Sequence, residues 1–269
     1  MKFSIITTAY KTAQYIEEYI LSVRDQIRTT RAIEIRNGKK MIKLPPEPIE
    51  FELLLGIDGC LATLNKVKEI QQKYRFEWLV VYWSAKNVGT YVLRNTLATL
   101  STTKHLVFFD SDDIMTPFYL QRVYEESRKS MSLVVYYFGH GFNGKFVKDS
   151  KNFKLQPSGH GTFYCRKSIF MHIGGFKSWR CAADTDFLQR VKATRSRISF
   201  HRHVLYYRRM NPTSLTNCRE FGMNSAIRKS YNRHMFNARR DPTPIIKMVK
   251  TEVEAIQIQL KDTTKPQIT

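Results

Sequence analysis

Short apolar runs alternate with amphipathic stretches through the first half of the chain. Phe3 to Ala9 reads as a strand and leads into the polar turn Tyr10-Lys11-Thr12-Ala13. Thr12 can cap a helix from about Ala13 to Gln26, where Tyr15, Ile16, Tyr19, Ile20 and Val23 recur at helical spacing. Phe51 to Gly59 is a second apolar strand that ends in Asp58 and a glycine, and a helix over Leu61 to Tyr74 follows. Trp78 to Trp83 gives a third strand, Asn87-Val88-Gly89-Thr90 a turn, and Tyr91 to Leu100 a helix carrying Arg94-Asn95. Leu106 to Phe109 is the fourth strand and Leu133 to Phe138 the next. Strands that alternate with helices predict an α/β fold, a doubly wound and mostly parallel sheet flanked by helices.

Three stretches stand apart from that rhythm. Between Ile27 and Glu50, two β-prone segments, 32–36 and 39–43, bracket Asn37-Gly38, a strong hairpin signal, and Pro45, Pro46 and Pro48 end any continuation. The expectation is a protruding basic hairpin over 27–50. The glycine-rich Gly139-His140-Gly141-Phe142-Asn143-Gly144 lacks the spacing of a phosphate loop and reads as a turn. Ile245 to Leu260 carries Ile246, Val249, Val253, Ile256 and Leu260 on one helical stripe, and the residues after it read as a frayed tail. The division expected is a catalytic domain over 1–216 and a basic helical extension over 217–269.

The fourth strand breaks into Asp110-Ser111-Asp112-Asp113. A buried strand cannot hold three unpaired carboxylates, so they emerge at its carboxyl end, where α/β sheets place their ligands. Asp110 and Asp112 flank one residue, and a tight turn can aim both at one hard cation that keeps positions open for phosphate. The competing reading is a solvated turn with Asp113 as a helix N-cap and Pro117 in the first turn. Three of the four strands end in Thr, Asp or Asp-rich turns, so polar groups gather on one rim.

Charge adds a second theme. The chain of 269 residues carries a formal net charge of +21. Residues 1–134 hold 19 basic and 15 acidic side chains, whereas residues 135–269 hold 25 and 8. That asymmetry points the second half towards a polyanion, either nucleic acid or an anionic membrane surface. Cys60, Cys165, Cys181 and Cys218 lie far apart without zinc spacing and read as reduced thiols of a cytoplasmic protein. No signal peptide and no apolar run of about 18 residues is visible, so no transmembrane segment is expected.

The motifs together resemble the family-2 glycosyltransferases of GT-A fold over about residues 3 to 216. The matching pieces are Phe3 to Tyr10, Glu52 to Gly59, Asn87-x-Gly89 with Arg94-Asn95, Phe108 to Asp113, Gly174-Gly175-Phe176, and Asp184-x-x-Phe187-x-x-Arg190. The resemblance implies transfer of a sugar from a nucleotide-sugar donor, a uridine nucleotide by the base-binding strand, to an acceptor hydroxyl with inversion. It places Thr8, Ala9, Tyr10 and Asp58 at the base and ribose, with Ser111 also on the donor side. Asp110 and Asp112 fall on its Mn2+ or Mg2+ motif, Asp112 as the direct ligand. Arg94 either assists the pyrophosphate or pairs with an aspartate. The loop Ser158 to Thr162 is expected beside the acceptor. The family's late Glu-Asp pair aligns with Ala183-Asp184, which makes Asp184 the expected general base and Asp186 the reserve. A plain helix N-terminal acid is the alternative for both.

Departures from the family pattern are Thr8 and Lys11 for its Pro and Asn, Ile57-Asp58 for its paired acids, and Met210 for a His. His201 and His203 alternate within a basic strand and fit surface exposure better than ligation. The residues expected to meet the acceptor or another polyanion are Arg36, Lys39, Lys40, Arg195, Arg197, Arg208 and Arg209. Arg219, Arg228, Lys229, Arg233, Arg239 and Arg240, interleaved with Phe221, Tyr231 and Phe236, continue the basic pattern. The favoured acceptor is DNA carrying hydroxylated bases, as in viral DNA modification, which would place the enzyme in a host cytoplasm. The alternatives are a cell-surface polysaccharide or lipid-linked glycan and, in another class, a non-catalytic nucleic-acid-binding protein on the same fold.

Overall fold

The structure, a computed structural model, describes residues 1–28, 32–36, 39–43, 49–129, 134–142, 154–156, 161–194, 196–210, 214–238 and 252–256. In chain order the elements begin β1 (Lys2–Ala9), α1 (Ile16–Arg28), β2 (Ala32–Arg36), β3 (Lys39–Lys43), β4 (Glu50–Asp58), α2 (Leu61–Tyr74), β5 (Leu79–Ser84) and α3 (Thr90–Leu100). They continue with β6 (His105–Asp110), β7 (Ile114–Met115), α4 (Tyr119–Lys129), β8 (Val134–Phe142), β9 (Lys154–Gln156), β10 (Phe163–Arg166) and α5 (Lys167–His172). The last are α6 (Ala183–Ala193), β11 (Ile198–Arg209), α7 (Ala226–Ala238) and β12 (Glu254–Ile256).

The main sheet runs β12-β5-β4-β1-β6-β10-β8-β11-β7, with β9 paired to β8. Its centre, β5-β4-β1-β6, is parallel. Chain order reverses between β4-β1 and β1-β6, and this is the switch point outside which ligands of open α/β sheets bind. The register there sets Thr8 of β1 beside Asp110 of β6, and Asp58 beside Ser84. Four motif-bearing strand ends therefore share one rim.

Strand alternation divides the core into two layers. Val107 and Phe109 face the side covered by α1, α2 and α4, with Tyr19, Leu53 and Tyr119. Leu106 and Phe108 face the side covered by α3, α5 and α6, with Leu93, Phe163, Phe170, Phe176 and Phe187. Phe108 stacks on Phe163 at 4.8 Å and meets Phe170 and Phe176. Burial of each such ring contributes about 1.5–3 kcal/mol. The apolar run before the aspartates thus fastens their base from both faces.

The hairpin forms as its sequence indicates, with β2 antiparallel to β3 and Arg36 paired to Lys39. Other expectations change. Thr12 starts α1 through its carbonyl, which accepts from the Tyr15 and Ile16 amides, so the helix begins at Ile16 and not at Ala13. The expected turn at Gly139–Phe142 is instead the second half of β8, paired in parallel with β11. A Cβ on Gly139 would lie 2.7 Å from the Tyr206 ring, so this glycine admits a close aromatic approach and does not turn the chain. Within the stripe expected to be helical at 245–260, Glu254–Ile256 is a strand pairing antiparallel with β5. An open sheet edge offers hydrogen bonds that outweigh the local helical pattern; the rest of the stripe lies outside the described residues. No helix among the described residues is long and apolar enough to cross a membrane.

Candidate active site

Asp110 closes β6 with its carboxylate on the rim and nearly half exposed, at 45%. Its Oδ1 accepts a 2.5 Å hydrogen bond from Nη2 of Arg94, a guanidinium only 2% exposed. Arg94 also donates to the carbonyls of Phe109 and Gly161 at 3.0 and 2.9 Å. The pairing role for Arg94 is the one the geometry displays. One helical turn before it on α3, Tyr91 donates its hydroxyl to Asp184 Oδ1 at 2.9 Å. Burial and the Asp184 charge hold that phenol far above its usual range. Tyr91 was missed from the sequence, although its i, i+3 spacing to Arg94 puts both on one helix face.

Asp184 lies in the first turn of α6, where its Oδ1 also accepts from the Thr185 amide at 2.9 Å. Its Oδ2 points elsewhere. A methyl group built on Gly161 would sit 3.6 Å from Asp184 Oδ2, 3.6 Å from Asp110 Oδ2 and 3.5 Å from Arg94 Nη1. The second oxygens of Asp110 and of Asp184 therefore border the same space beside Gly161. Gly161→Ala makes only ordinary van der Waals contacts, so the fold is expected to persist. The methyl fills the space that Asp110 Oδ2, Asp184 Oδ2 and Arg94 Nη1 border; if these groups act in turnover, kcat/KM is expected to fall about 10²-fold with an unchanged melting temperature, as a misplacement of about 1 Å does elsewhere.

The reserve base is placed differently. Asp186 is buried, with Lys177 at 3.0 Å and Arg190 at 2.8 Å, and Arg190 also donates to the Ile173 and Gly175 carbonyls. The carboxylate ties α6 to the Gly174-Gly175-Phe176 loop and presents no free oxygen to an acceptor. Gly174 and Gly175 take left-handed φ angles of 82° and 62°, and Asn95 brackets Phe176 by accepting from its amide and donating to its carbonyl. Removing one partner of a buried charge cluster is costly. Asp186→Ala is expected to lose about 3 kcal/mol in denaturant unfolding, a stability loss with no change in the pH profile of turnover.

The turn after Asp110 is clamped from inside. Arg209 was expected to meet a polyanion, but its guanidinium is buried. It pairs with Glu18 at 2.5 Å, donates to the Asp112 carbonyl at 3.1 Å and lies 4.2 Å over the Tyr15 ring. Its amide donates to Asp113 Oδ1 at 2.9 Å, so Asp113 is an internal acceptor and not a helix cap. Half-buried Arg208 directs its charge at Asp112 and Asp113. Arg197 is exposed, whereas Arg195 and the side chains of Arg36, Lys39 and Lys40 lie outside the described residues. His201 pairs with Glu126 at 3.3 Å.

Among the residues expected to meet the donor, Asp58 is buried and accepts from the Val88 and Gly89 amides at 2.7 and 3.0 Å, which fixes the loop between β5 and α3. Burial raises its pKa despite those bonds. Gly59, at φ 66°, has no room for a Cβ, which would lie 2.6 Å from the Asn87 amide. Thr8 and Thr90 share a 2.6 Å hydroxyl bond, Ala9 is buried, and Ser111 is buried with its hydroxyl 3.5 Å from Thr12. Tyr10 stands 44% exposed on the rim with the Lys11 ammonium 5.2 Å from its ring centre. Arg180 reaches across to Asn87 at 2.9 Å and its charge is felt at Asp58. A cavity of about 630 Å³ lined by Thr103, Lys104, His105, Arg166 and Lys167 opens at the opposite end of β6, away from this chemistry.

Asp110 and Asp112 fit a divalent cation as two carboxylates that keep positions open for phosphate. Burial first and the Asp110 charge second push Asp112 up to about 6, and a cation bound there would offset the second of these. Among the described residues no three His, Cys, Asp or Glu side chains form a metal cage.

A switch-point rim with one aspartate at the end of a strand, a second in the turn after it and an acid on a nearby helix is consistent with a GT-A-type sugar-transferase fold. The glycosyl transferase family 2 profile matches residues 4–188, more than half the chain, and the chain belongs to that family. S. aureus TarS 1-349, solved in complex with UDP-GlcNAc, shares 22% identity at a TM-score of 0.60, over 80% of this chain and 60% of that one. This chain thus spans about three-fifths of that TarS structure. Mannosyltransferase PcManGT from Pyrobaculum calidifontis, in complex with GDP-Man and Mn2+, shares 13% identity at a TM-score of 0.62, over 92% of this chain and 67% of that one. No curated protein sequence matches the chain.

Proposed function

We propose that this chain transfers a sugar from a nucleotide-sugar donor, a UDP-sugar by its family resemblance, to an acceptor hydroxyl with inversion. The observation that carries this reading is the convergence of Asp110 Oδ2 and Asp184 Oδ2 on Gly161. Asp184 Oδ2 takes the proton from the acceptor hydroxyl as its oxygen forms a bond to the anomeric carbon. The bond from that carbon to the diphosphate oxygen breaks on the opposite face, and the nucleoside diphosphate leaves with the electron pair. Tyr91 and the Thr185 amide hold the other carboxylate oxygen, so the proton-accepting atom is oriented before the acceptor arrives. Arg94 fixes Asp110 from below. Mn2+ or Mg2+ held by Asp110 and Asp112 would neutralise charge gathering on the leaving diphosphate.

The acceptor we favour is DNA bearing hydroxylated bases, and the support is the excess of 25 basic over 8 acidic side chains in residues 135–269. The test is nucleoside-diphosphate release from UDP-sugars with Mn2+, with and without a duplex carrying hydroxymethylated bases. Stimulation by that duplex supports the reading. Turnover indifferent to DNA moves the acceptor to a cell-surface or lipid-linked glycan. DNA binding with no turnover of any nucleotide sugar leaves a non-catalytic nucleic-acid-binding protein.

A further inference from the structure

Beyond β11 the chain folds into a compact turn and a helix that lean on the connection before α6. The Asn217 and Cys218 amides donate to the Ser214 carbonyl, and the Met223 amide donates back to the Thr216 carbonyl. A Cβ on Gly222 would collide with the Cys218 carbonyl, so only glycine closes this turn. Ser225 caps α7, its hydroxyl accepting from the Arg228 amide at 3.2 Å. Arg228 Nε then donates to the Phe221 carbonyl at 2.9 Å, which binds turn and helix into one unit.

That unit is docked on the connection that precedes Asp184. Tyr231 stacks on Trp179 at 4.3 Å with an interplanar angle of 1°, and His234 meets the same indole edge-on. Trp179 lies in the short connection that leads to Ala183 and Asp184. Cys181, on the same connection, is within electrostatic reach of Asp184, Arg228 and Cys218.

The inward stripe of α7 is Arg228, Tyr231 and Met235, and its outward face holds Lys229, Ser230, Asn232 and Arg233. Lys229 and Arg233 are neighbours at i, i+4, and like charges there destabilise an isolated helix. Cations near a helix N-terminus are also unfavourable to its dipole, and α7 has no acid in its first turn. From Ser214 to Ala238 the sequence contains one acid, Glu220. Among the described residues Lys229 and Arg233 form no ion pair. The charge arrangement is one that an external anion would relieve.

We propose that the outward face of α7 and the adjoining turn, through Lys229, Arg233 and Arg219, hold the phosphate backbone of a nucleic-acid acceptor beside Asp184. This rests on the DNA-acceptor reading above. Exposed Leu215 and Met223 on the same turn supply apolar tips of the kind that wedge against displaced bases. A lipid surface fits less well, because α7 turns Tyr231 and Met235 inward and shows solvent a face that is mostly polar, with Ile227 its one exposed large apolar side chain among the described residues. An interfacial helix does the opposite.

The experiment is binding of a duplex with hydroxymethylated bases across a salt series, by fluorescence anisotropy, for the wild type and the Lys229→Gln/Arg233→Gln double variant. Both positions are exposed, so the melting temperature should hold. Loss of two phosphate contacts is expected to lower the slope of log K against log salt by about 1.8 and the affinity at low salt at least tenfold. A wild type that binds DNA with a slope the double variant shares overturns this inference and leaves the acceptor reading standing. A wild type that does not bind DNA at any salt overturns both. Vesicles of phosphatidylcholine and phosphatidylglycerol form the second arm. Loss of vesicle binding in the double variant, with DNA binding unchanged, assigns the face to lipid and overturns the proposal.

Discussion

Asp184→Asn is expected to lower kcat by about 10³-fold, within the range general-base catalysis contributes. The amide is isosteric, so its carbonyl oxygen still accepts the hydrogen bonds that Tyr91 and the Thr185 amide give to Oδ1 in the native site. What the variant lacks is a basic atom in place of Oδ2, facing Gly161. Donor KM should therefore change little while turnover collapses. Steady-state release of nucleoside diphosphate at saturating acceptor measures both quantities. Retention of kcat within tenfold would exclude Asp184 as the base. Asp186 is not an equal substitute, since Lys177 and Arg190 occupy both of its oxygens.

Removal of the second acid of the aspartate pair should have a comparable effect through a different route. On the proposed reading, Asp112→Ala is expected to reduce turnover by about 10³-fold or more, because the leaving diphosphate would lose a cation that offsets its charge. Binding of Mn2+ followed by electron paramagnetic resonance should weaken in parallel, and this readout does not depend on turnover. Stability should not fall. In the metal-free protein this carboxylate is disfavoured in its charged form by burial and by Asp110, so its removal relieves repulsion. The melting temperature of the apo variant should stay level or rise. An Asp112→Ala protein with undiminished turnover would sink the metal assignment, and undiminished biological function would favour the non-catalytic reading.

Arg209 shows where a charge count misleads. In the sequence it is one more cation in a stretch with almost no acid, and a surface role follows naturally. In the fold it sits at the end of β11, where pairing with β7 and β8 turns it inward onto Glu18 and the Asp112 carbonyl. Its partner Glu18 is 191 positions away in the chain, so no local pattern could have announced the pair. Arg190 is the converse case. Its i, i+4 spacing to Asp186 is visible in the sequence and signals an ion pair on one helix face, whereas Lys177, which completes that pair, reaches it only through the left-handed turn at Gly174-Gly175.

The sequence by itself determined the α/β layering, the parallel centre of the sheet and the rim on which the acids gather. These follow from periodicities of about two and 3.6 and from the cost of burying an unpaired carboxylate, both local in the chain. It also determined the antiparallel pairing of 32–36 with 39–43, because two β-prone segments bracket Asn-Gly in the sequence. Only the tertiary structure decided which oxygens face the cleft and which are held internally. Asp184 and Asp186 occupy the same first helical turn, and only the i, i+4 spacing of Arg190 to Asp186 separates them locally. They part because one meets Tyr91 and Gly161 while the other meets Lys177 and Arg190. The same holds for Glu254–Ile256, where an open edge of β5 overrode a helical stripe. Contacts between distant segments set those outcomes, and their energies exceed the few tenths of a kcal/mol per residue by which local preference separates the alternatives.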